Sequence, residues 1–211
     1  MTIEWTRDIS YCIGLIATDG CLYSDGRHLC FTSKDKDLIH LFMEIMKIRG
    51  KIGKTVSGQT GSMTHRIQWG DKHLHEYLTT IGITPNKSKT IQEVLIPEQY
   101  FFDFVRGIFD GDGSFYSYHD KRYGTFLWYV TFNSASKQHI LWLQAMISEK
   151  IGVTGHISKA RTSSVYSLRY GKKEGLQIIN KMYYSSHVPC LKRKLIKIQD
   201  AQVVKLVDTQ P

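Results

Sequence analysis

Two carboxylates, Asp19 and Asp112, each close an apolar stretch and each precede a glycine. Residues 12–20 read Cys-Ile-Gly-Leu-Ile-Ala-Thr-Asp-Gly, and residues 105–113 read Val-Arg-Gly-Ile-Phe-Asp-Gly-Asp-Gly. Gly14 answers Gly107, Asp19 answers Asp112 and Gly20 answers Gly113, each pair 93 positions apart (112 − 19 = 93). The apolar runs predict helices, and a helix C-terminus carries partial negative charge. Two carboxylates brought together at two such ends repel each other unless a cation lies between them. A hard divalent ion such as Mg²⁺, held by carboxylate, carbonyl and water oxygens, suits such a place. The backbone carbonyls of Thr18 and Gly111 are further candidate ligands. Beside a phosphodiester, ions of this kind activate water and stabilise the leaving oxygen. Either motif alone reads equally well as an acidic turn after a helix; the repetition in register argues for a shared site. The run Asp110-x-Asp112-x-Ser114 also looks like the start of a calcium loop, but Phe115 stands where glycine is needed and Lys121 where glutamate is needed.

The helices that present these carboxylates must be able to touch. Small residues stand four apart in each motif, Gly14 and Thr18 in the first, Gly107 and Gly111 in the second. Positions four apart share one helix face, and small side chains there let a second backbone approach closely. The sequence therefore predicts two helices, residues 9–18 with Asp8 as a cap and residues 101–111. They would cross at these four positions and bring Asp19 and Asp112 side by side.

The elements around each motif recur in the same order. The first half offers a strand from Leu22, an Asp25-Gly26 turn, a strand over 27–33 and a helix over 35–49. A hairpin of 51–57 with 64–70 around 58–62 and a helix over 72–81 complete it. The second half offers strands over 114–118 and 125–134, a helix over 138–151, strands over 153–159 and 164–171, a helix over 174–184 and a basic closing segment over 189–198. Phe31 and Phe132, Ile67 and Leu168, Trp69 and Tyr170, and Gly70 and Gly171 each lie 101 apart (132 − 31 = 101). The offset grows by 8 (101 − 93 = 8), so the extra residues are expected in a longer loop around 119–124. The fold class is α+β: a duplicated αββαββα unit with pseudo-two-fold symmetry, its antiparallel sheets forming a saddle over two central motif helices. The halves are expected at 5–96 and 97–198, with a tail over 199–211. Residues 201–209 look like a tRNA gene translated in frame and are expected to be a loose extension.

Strand pleating assigns faces. Leu22, Leu29, Phe31, Ile67 and Trp69 face the core in the first half. Phe115, Phe126, Trp128, Val130, Phe132, Leu168 and Tyr170 do so in the second. The opposite face carries Tyr23, His28, Thr32, Arg66 and Gln68, with Arg27 at the hairpin end. In the second half it carries Ser114, Tyr116, Tyr118, Tyr129, Thr131, Asn133, Ser167 and Arg169. That face is polar, aromatic and basic, where an ordinary solvated face mixes both charge signs. It suits the base edges of a DNA major groove. Lys121, Arg122, Lys159 and Arg161 at loop ends suit phosphates.

The composition agrees. The chain has 211 residues, 42% of them hydrophobic, enough for a packed core, and a net charge of +9. A basic balance on a folded chain favours a polyanion, nucleic acid first. Cys12, Cys21, Cys30 and Cys190 form no Cys-x-x-Cys pair, so reduced thiols of an intracellular protein are expected in place of a zinc site. The first residues do not read as a basic-then-apolar leader, so no leader is expected, and no apolar run approaches the roughly 20 residues that span a membrane.

The two motifs resemble those of the double-motif LAGLIDADG homing endonucleases. The second keeps Gly107, Asp110, Asp112 and Gly113; the first keeps Gly14, Leu15, Ile16, Asp19 and Gly20. The first departs at Cys12, where Leu is usual, and at Ala17, where an acidic residue is usual. The resemblance implies a monomer that binds a long, imperfectly palindromic double-stranded DNA site. It implies cutting of both strands across the minor groove, with short 3′ overhangs, in intron homing. Mg²⁺ would be the cofactor, Mn²⁺ a substitute, and Ca²⁺ would bind without supporting cleavage. It also implies a Lys and a polar strand residue from each half around the metals: Lys87 or Lys89 with Thr32, and Lys194 or Lys192 with Asn133. Gln is common at the strand position, so Thr32 is a shortened version. Such a protein works at DNA inside a bacterial, phage or organellar compartment. The rival readings are an intron maturase that binds group I intron RNA on the same fold, and a DNA-binding protein without cleavage. The second of these would be expected to lack one of the acidic pair.

Overall fold

The computed structural model describes residues 3–56, 61–122 and 124–207. The element order is α1 (Arg7–Asp19), β1 (Gly20–Leu22), β2 (His28–Ser33), α2 (Lys36–Ile45), β3 (Gly53–Val56), β4 (Met63–Gly70) and α3 (Lys72–Thr80). The same order follows as α4 (Phe101–Asp112), β5 (Ser114–Asp120), β6 (Thr125–Ser134), α5 (Lys137–Ile151), β7 (His156–Lys159), β8 (Tyr166–Tyr170) and α6 (Lys172–Met182). A further helix, α7 (Lys192–Val207), follows. Two antiparallel sheets have matching orders, β1-β2-β4-β3 and β5-β6-β8-β7. The fold is thus α+β and duplicated, as the sequence predicts.

Alternation explains the strands. Leu29 pairs with Trp69 and Phe31 with Ile67; Val130 pairs with Tyr170 and Phe132 with Leu168. Leu22, Leu29, Phe31, Ile67, Trp128, Val130, Phe132, Leu168 and Tyr170 are buried, and Trp69, Phe115 and Phe126 pack partly buried against the same core. One cluster spans both halves because α1 and α4 run through its middle and make the most extensive helix contact.

Several boundaries differ from the expectation, each for a local reason. Thr6 caps α1, not Asp8: its hydroxyl accepts the Ile9 N–H at 3.1 Å, and the helix starts at Arg7. The expected helix over 35–49 stops at Ile45, because Lys47 turns left-handed (φ 53) and Ile48 N–H donates back to the Met43 carbonyl at 2.9 Å. A lysine doing a glycine's work leaves no trace in the sequence. β7 begins at His156, after Gly152 (φ 67) caps α5 and Val153 drops into the core. The eight extra residues do not form a longer loop; they lengthen a ribbon, since β5 has 7 residues against 3 in β1, and β6 has 10 against 6 in β2. α7 continues to Val207, with Ala201 buried, where a loose extension was expected from 201; residues 208 and 209 lie outside the described residues. The expected turn over 58–62 falls partly on residues outside those described. Among the described residues no helix is long and apolar enough to cross a membrane.

Candidate functional site

The site begins at the crossing of α1 and α4. A Cβ on Gly14 would lie 2.9 Å from the Gly107 Cα and collide with the Phe104 carbonyl. A Cβ on Gly107 would lie 2.8 Å from the Gly14 Cα and collide with the Tyr11 carbonyl. Here the two backbones touch, and only glycine fits. One turn further on, a Cβ on Gly111 would strike the Thr18 hydroxyl and lie 3.1 Å from Asp19 Oδ2. The four small residues therefore lie at the seam, and the seam delivers both motif carboxylates to one place.

Asp19 lies close enough to Asp112 to feel its charge. Burial, then the neighbouring Asp112, push the Asp19 carboxyl up to about 7, against the opposing pull of Lys194 and Lys87. Asp112 is open to solvent on its outer side. The protein packed beneath it still raises its pKa, with Lys194 and Lys87 again opposing. Each carboxylate thus senses both lysines.

The lysines are placed symmetrically. Lys87 Nζ donates to the carbonyl of Gly20, and Lys194 Nζ donates to the carbonyl of Gly113 at 2.6 Å. Gly20 and Gly113 are the equivalent glycines after the two motif aspartates. Lys194 also reaches the carbonyls of Phe109 (2.5 Å), Asp110 (2.9 Å) and Gly111 (3.3 Å), so it caps α4 where the helix dipole is negative. Both ammonium groups are buried, and burial lowers their pKa values, that of Lys194 to about 8. Lys89 and Lys192 point to solvent. The structure therefore brings Lys87 and Lys194, not their neighbours, to the motif ends.

Thr32 and Asn133 take equivalent strand positions, Thr32 opposite Arg66 and Asn133 opposite Ser167. Asn133 Nδ2 donates to the Asp112 carbonyl at 2.9 Å, and its Oδ1 accepts the Ser167 hydroxyl at 2.7 Å. Thr32 lines an open cleft of about 570 Å³ together with Asp19, Tyr23, Arg66 and Arg193. A smaller hollow of about 250 Å³ holds Asp112, Asn133 and Thr18.

The outer sheet face is assembled as the pleat predicts. Tyr116 and Tyr118 are exposed with rings 5.6 Å apart, and Arg169 lies over the Tyr129 ring at 5.3 Å. Arg66 donates to the Tyr23 hydroxyl and to Gln68 Oε1. Ser114 is exposed beside Thr131, which its neighbours Ser114 and Arg169 cover to 8% exposure. Thr131 is therefore shielded, as are Cys30 and Thr64 on the same face of the first sheet. His28 is tied to Asp25 at 2.5 Å, an acidic neighbour the face was not expected to have. Arg27, Lys121, Arg122, Lys159 and Arg161 are exposed at ribbon ends and loops, with Lys159 over the Tyr166 ring at 4.8 Å.

The donor set fits a hard cation only in part. Among the described residues no group of three or more His, Cys, Asp or Glu could enclose a metal. Two carboxylates whose ionised forms oppose each other fit an ion whose remaining ligands are water and phosphate oxygens. The Gly111 carbonyl already accepts from Lys194, which leaves one lone pair. Cys12 and Cys30 are buried, Cys190 is partly buried and Cys21 is exposed.

Sequence reasoning missed the clamp that delivers Lys194. Asp110 is buried and accepts the Tyr11 hydroxyl at 2.9 Å, the Tyr183 hydroxyl at 3.3 Å and the Leu191 N–H at 2.6 Å. Arg106, fully buried, donates to the carbonyls of Met182 (2.7 Å) and Pro189 (2.9 Å) and lies 2.8 Å from Asp103. Together they pin the segment between α6 and α7 onto α4. Ala17 is the first-half equivalent of Asp110. The segment carrying Lys87 follows α3 through a tight turn at Gly82 (φ +102), and Ile91 N–H donates to the Lys87 carbonyl at 2.8 Å. That shorter connection is held by backbone bonds of this kind, and the buried Ala17 offers it no carboxylate. The one advance signal was an acidic residue inside an otherwise apolar helical turn.

The LAGLIDADG-like domain family matches residues 101–183. No curated protein sequence matches the chain. Among solved structures, the LAGLIDADG homing endonuclease I-GzeII in complex with its DNA target is 12% identical, with 99% of this chain and 94% of that chain covered and a TM-score of 0.62. The I-LtrWI LAGLIDADG homing endonuclease bound to target DNA is 13% identical, with 97% and 91% covered and a TM-score of 0.61. Full-length DUF199/WhiA from Thermatoga maritima is 13% identical, with 98% and 70% covered and a TM-score of 0.57. At such identities the structures share the fold. Residues 101–183 thus match the LAGLIDADG-like domain family, and the chain as a whole shares its duplicated fold with LAGLIDADG homing endonucleases.

Proposed function

We propose that this protein is a divalent-metal-dependent, site-specific endonuclease that makes a double-strand break in a long, pseudo-palindromic DNA site. One observation carries the proposal. Asp19 and Asp112 meet at a single helix crossing, each beside a buried lysine and a polar strand residue, beneath a basic, aromatic sheet face. A structural pair of turns would have no reason to hold two mutually repelling carboxylates together at the centre of the molecule. The two aspartates would hold Mg²⁺ or Mn²⁺ against scissile phosphates. When bound, such an ion lowers the pKa of a water and stabilises the leaving oxygen. Lys87 and Lys194 fix the two helix ends and add positive charge near the phosphates. Asn133 fixes the backbone of Asp112. Thr32 is too short to do the same for Asp19, so the strand served by the first half is expected to be cut more slowly. The I-DmoI complex with DNA and Mn, which shares the fold at 16% identity, supports the choice of metal.

The test uses a duplex of the protein's own insertion locus, lacking the element. Double-strand cutting in Mg²⁺ that stops in EDTA is the expected result. The rival is a protein that binds DNA, or group I intron RNA, on the same face without cutting; the fold shared with DUF199/WhiA keeps it in view. Tight binding with no cut in Mg²⁺ or Mn²⁺ would establish that rival.

A further inference from the structure

The two halves share a plan but not a reach. From the equivalent pairs Cys21–Cys30 and Ser114–Thr131 the ribbons run outward from the motif carboxylates. The first continues through Leu22–Leu29 to Tyr23, whose N–H donates to the His28 carbonyl at 2.9 Å, and then turns. The second continues through seven pairs to Asp120–Thr125. It is four pairs longer, or about 13 Å at roughly 3.3 Å per residue. Four is an even number, so the pleat stays in phase and the added length presents the same face.

That added face differs in character. Tyr118 is 36% exposed and stands directly opposite Leu127. Just before them Tyr116, 59% exposed, stands opposite Tyr129. The tip beyond carries the exposed cations Lys121 and Arg122. Nothing in the first half corresponds to the Tyr118–Leu127 pair, because its ribbon has already turned. An apolar pair on a groove-facing ribbon suits thymine methyl groups, and cations at its tip suit the flanking phosphates.

We infer that the DNA site is lopsided: the half-site under the second sheet extends about three or four base pairs further from the centre than its counterpart, and the Tyr118–Leu127 pair reads that outer segment. The estimate divides about 13 Å by a path along the groove of roughly 3.4 Å or more per base pair. The inference rests on the DNA-binding reading above, whatever becomes of cleavage.

A random duplex pool, selected by the full-length protein in Ca²⁺ and sequenced, gives the test. The expected base-preference profile runs three or four positions further on one side of its centre than on the other. The double variant Tyr118→Ser with Leu127→Ser should erase the preference at those outer positions, leave the central ones intact and weaken binding about tenfold. Thermal unfolding of the variant at the wild-type temperature shows that the fold survives. Profiles of equal length on both sides, or a variant that keeps the outer preference, would overturn the inference. Recovery of no preferred sequence at all would overturn the DNA-binding reading itself, and the lopsided site with it.

Discussion

Replacing Asp19 by Asn should stabilise the metal-free protein, and only at neutral to alkaline pH. Burial and Asp112 raise the Asp19 carboxyl from 3.8 to about 7. The folded state therefore holds this proton more tightly than the unfolded chain. Its stabilising effect is fully present below pH ~4 and drains away as pH rises towards 7. About three pH units at ~1.4 kcal/mol each set an upper bound of about 4 kcal/mol. Asp19 is half-buried in an open cleft, so about 2 kcal/mol is the working figure. Asparagine has no charge to desolvate, so the variant escapes the loss. At ~2–4 °C per kcal/mol for a chain of this size, Asp19→Asn should melt about 4–8 °C above wild type at pH 8 in EDTA. At pH 4 the two should coincide. Added Mg²⁺ should raise the wild-type melting temperature at pH 8 and leave the variant nearly unmoved. Equal melting temperatures at pH 8, or a variant less stable there, would refute the reasoning that burial and the nearby Asp112 disfavour the ionised form of Asp19.

Other substitutions probe the parts separately. Gly107→Ala drives a methyl into the Tyr11 carbonyl and should destabilise the fold by about 3 kcal/mol or more in urea titrations; a loss under about 1 kcal/mol would mean that the helices do not touch there. Asp110→Ala strips the Leu191 N–H and two tyrosine hydroxyls of their acceptor, at about 3 kcal/mol, and should expose Lys194 to amine-labelling reagents. Unchanged labelling of Lys194 would argue against the clamp. Lys194→Met should lower the cutting rate at least tenfold while DNA affinity changes less than threefold, and Lys192→Met should do neither.

Much of this architecture is written in local pattern. The alternation of Leu29 and Phe31, and of Val130 and Phe132, fixed the strand faces because one side of each sheet is buried. The shared spacing of Gly14 with Gly107 and Asp19 with Asp112 made the crossing legible, because a backbone contact tolerates only glycine. What stayed hidden depends on partners far along the chain. Lys87, and not Lys89, reaches a motif end because of a short turn entered through left-handed Asn86 (φ 57). The choice of Lys194 over Lys192 follows from the register of α7 on α4, set by Asp110 gripping Leu191. The extra eight residues showed in the repeat offset. Whether they formed a loop or a longer ribbon depended on hydrogen bonding across β5 and β6.

The central claim is that Asp19 and Asp112 form one cleavage centre and not two structural turns. Cutting and binding of the uninterrupted insertion-locus duplex, measured side by side for Asp19→Asn and Asp112→Asn, test it most directly. Each substitution alone should abolish the double-strand break in Mg²⁺ while binding in Ca²⁺ stays within about threefold of wild type. A double-strand break that survives either substitution would contradict the claim, as would loss of binding that accounts for the loss of cutting.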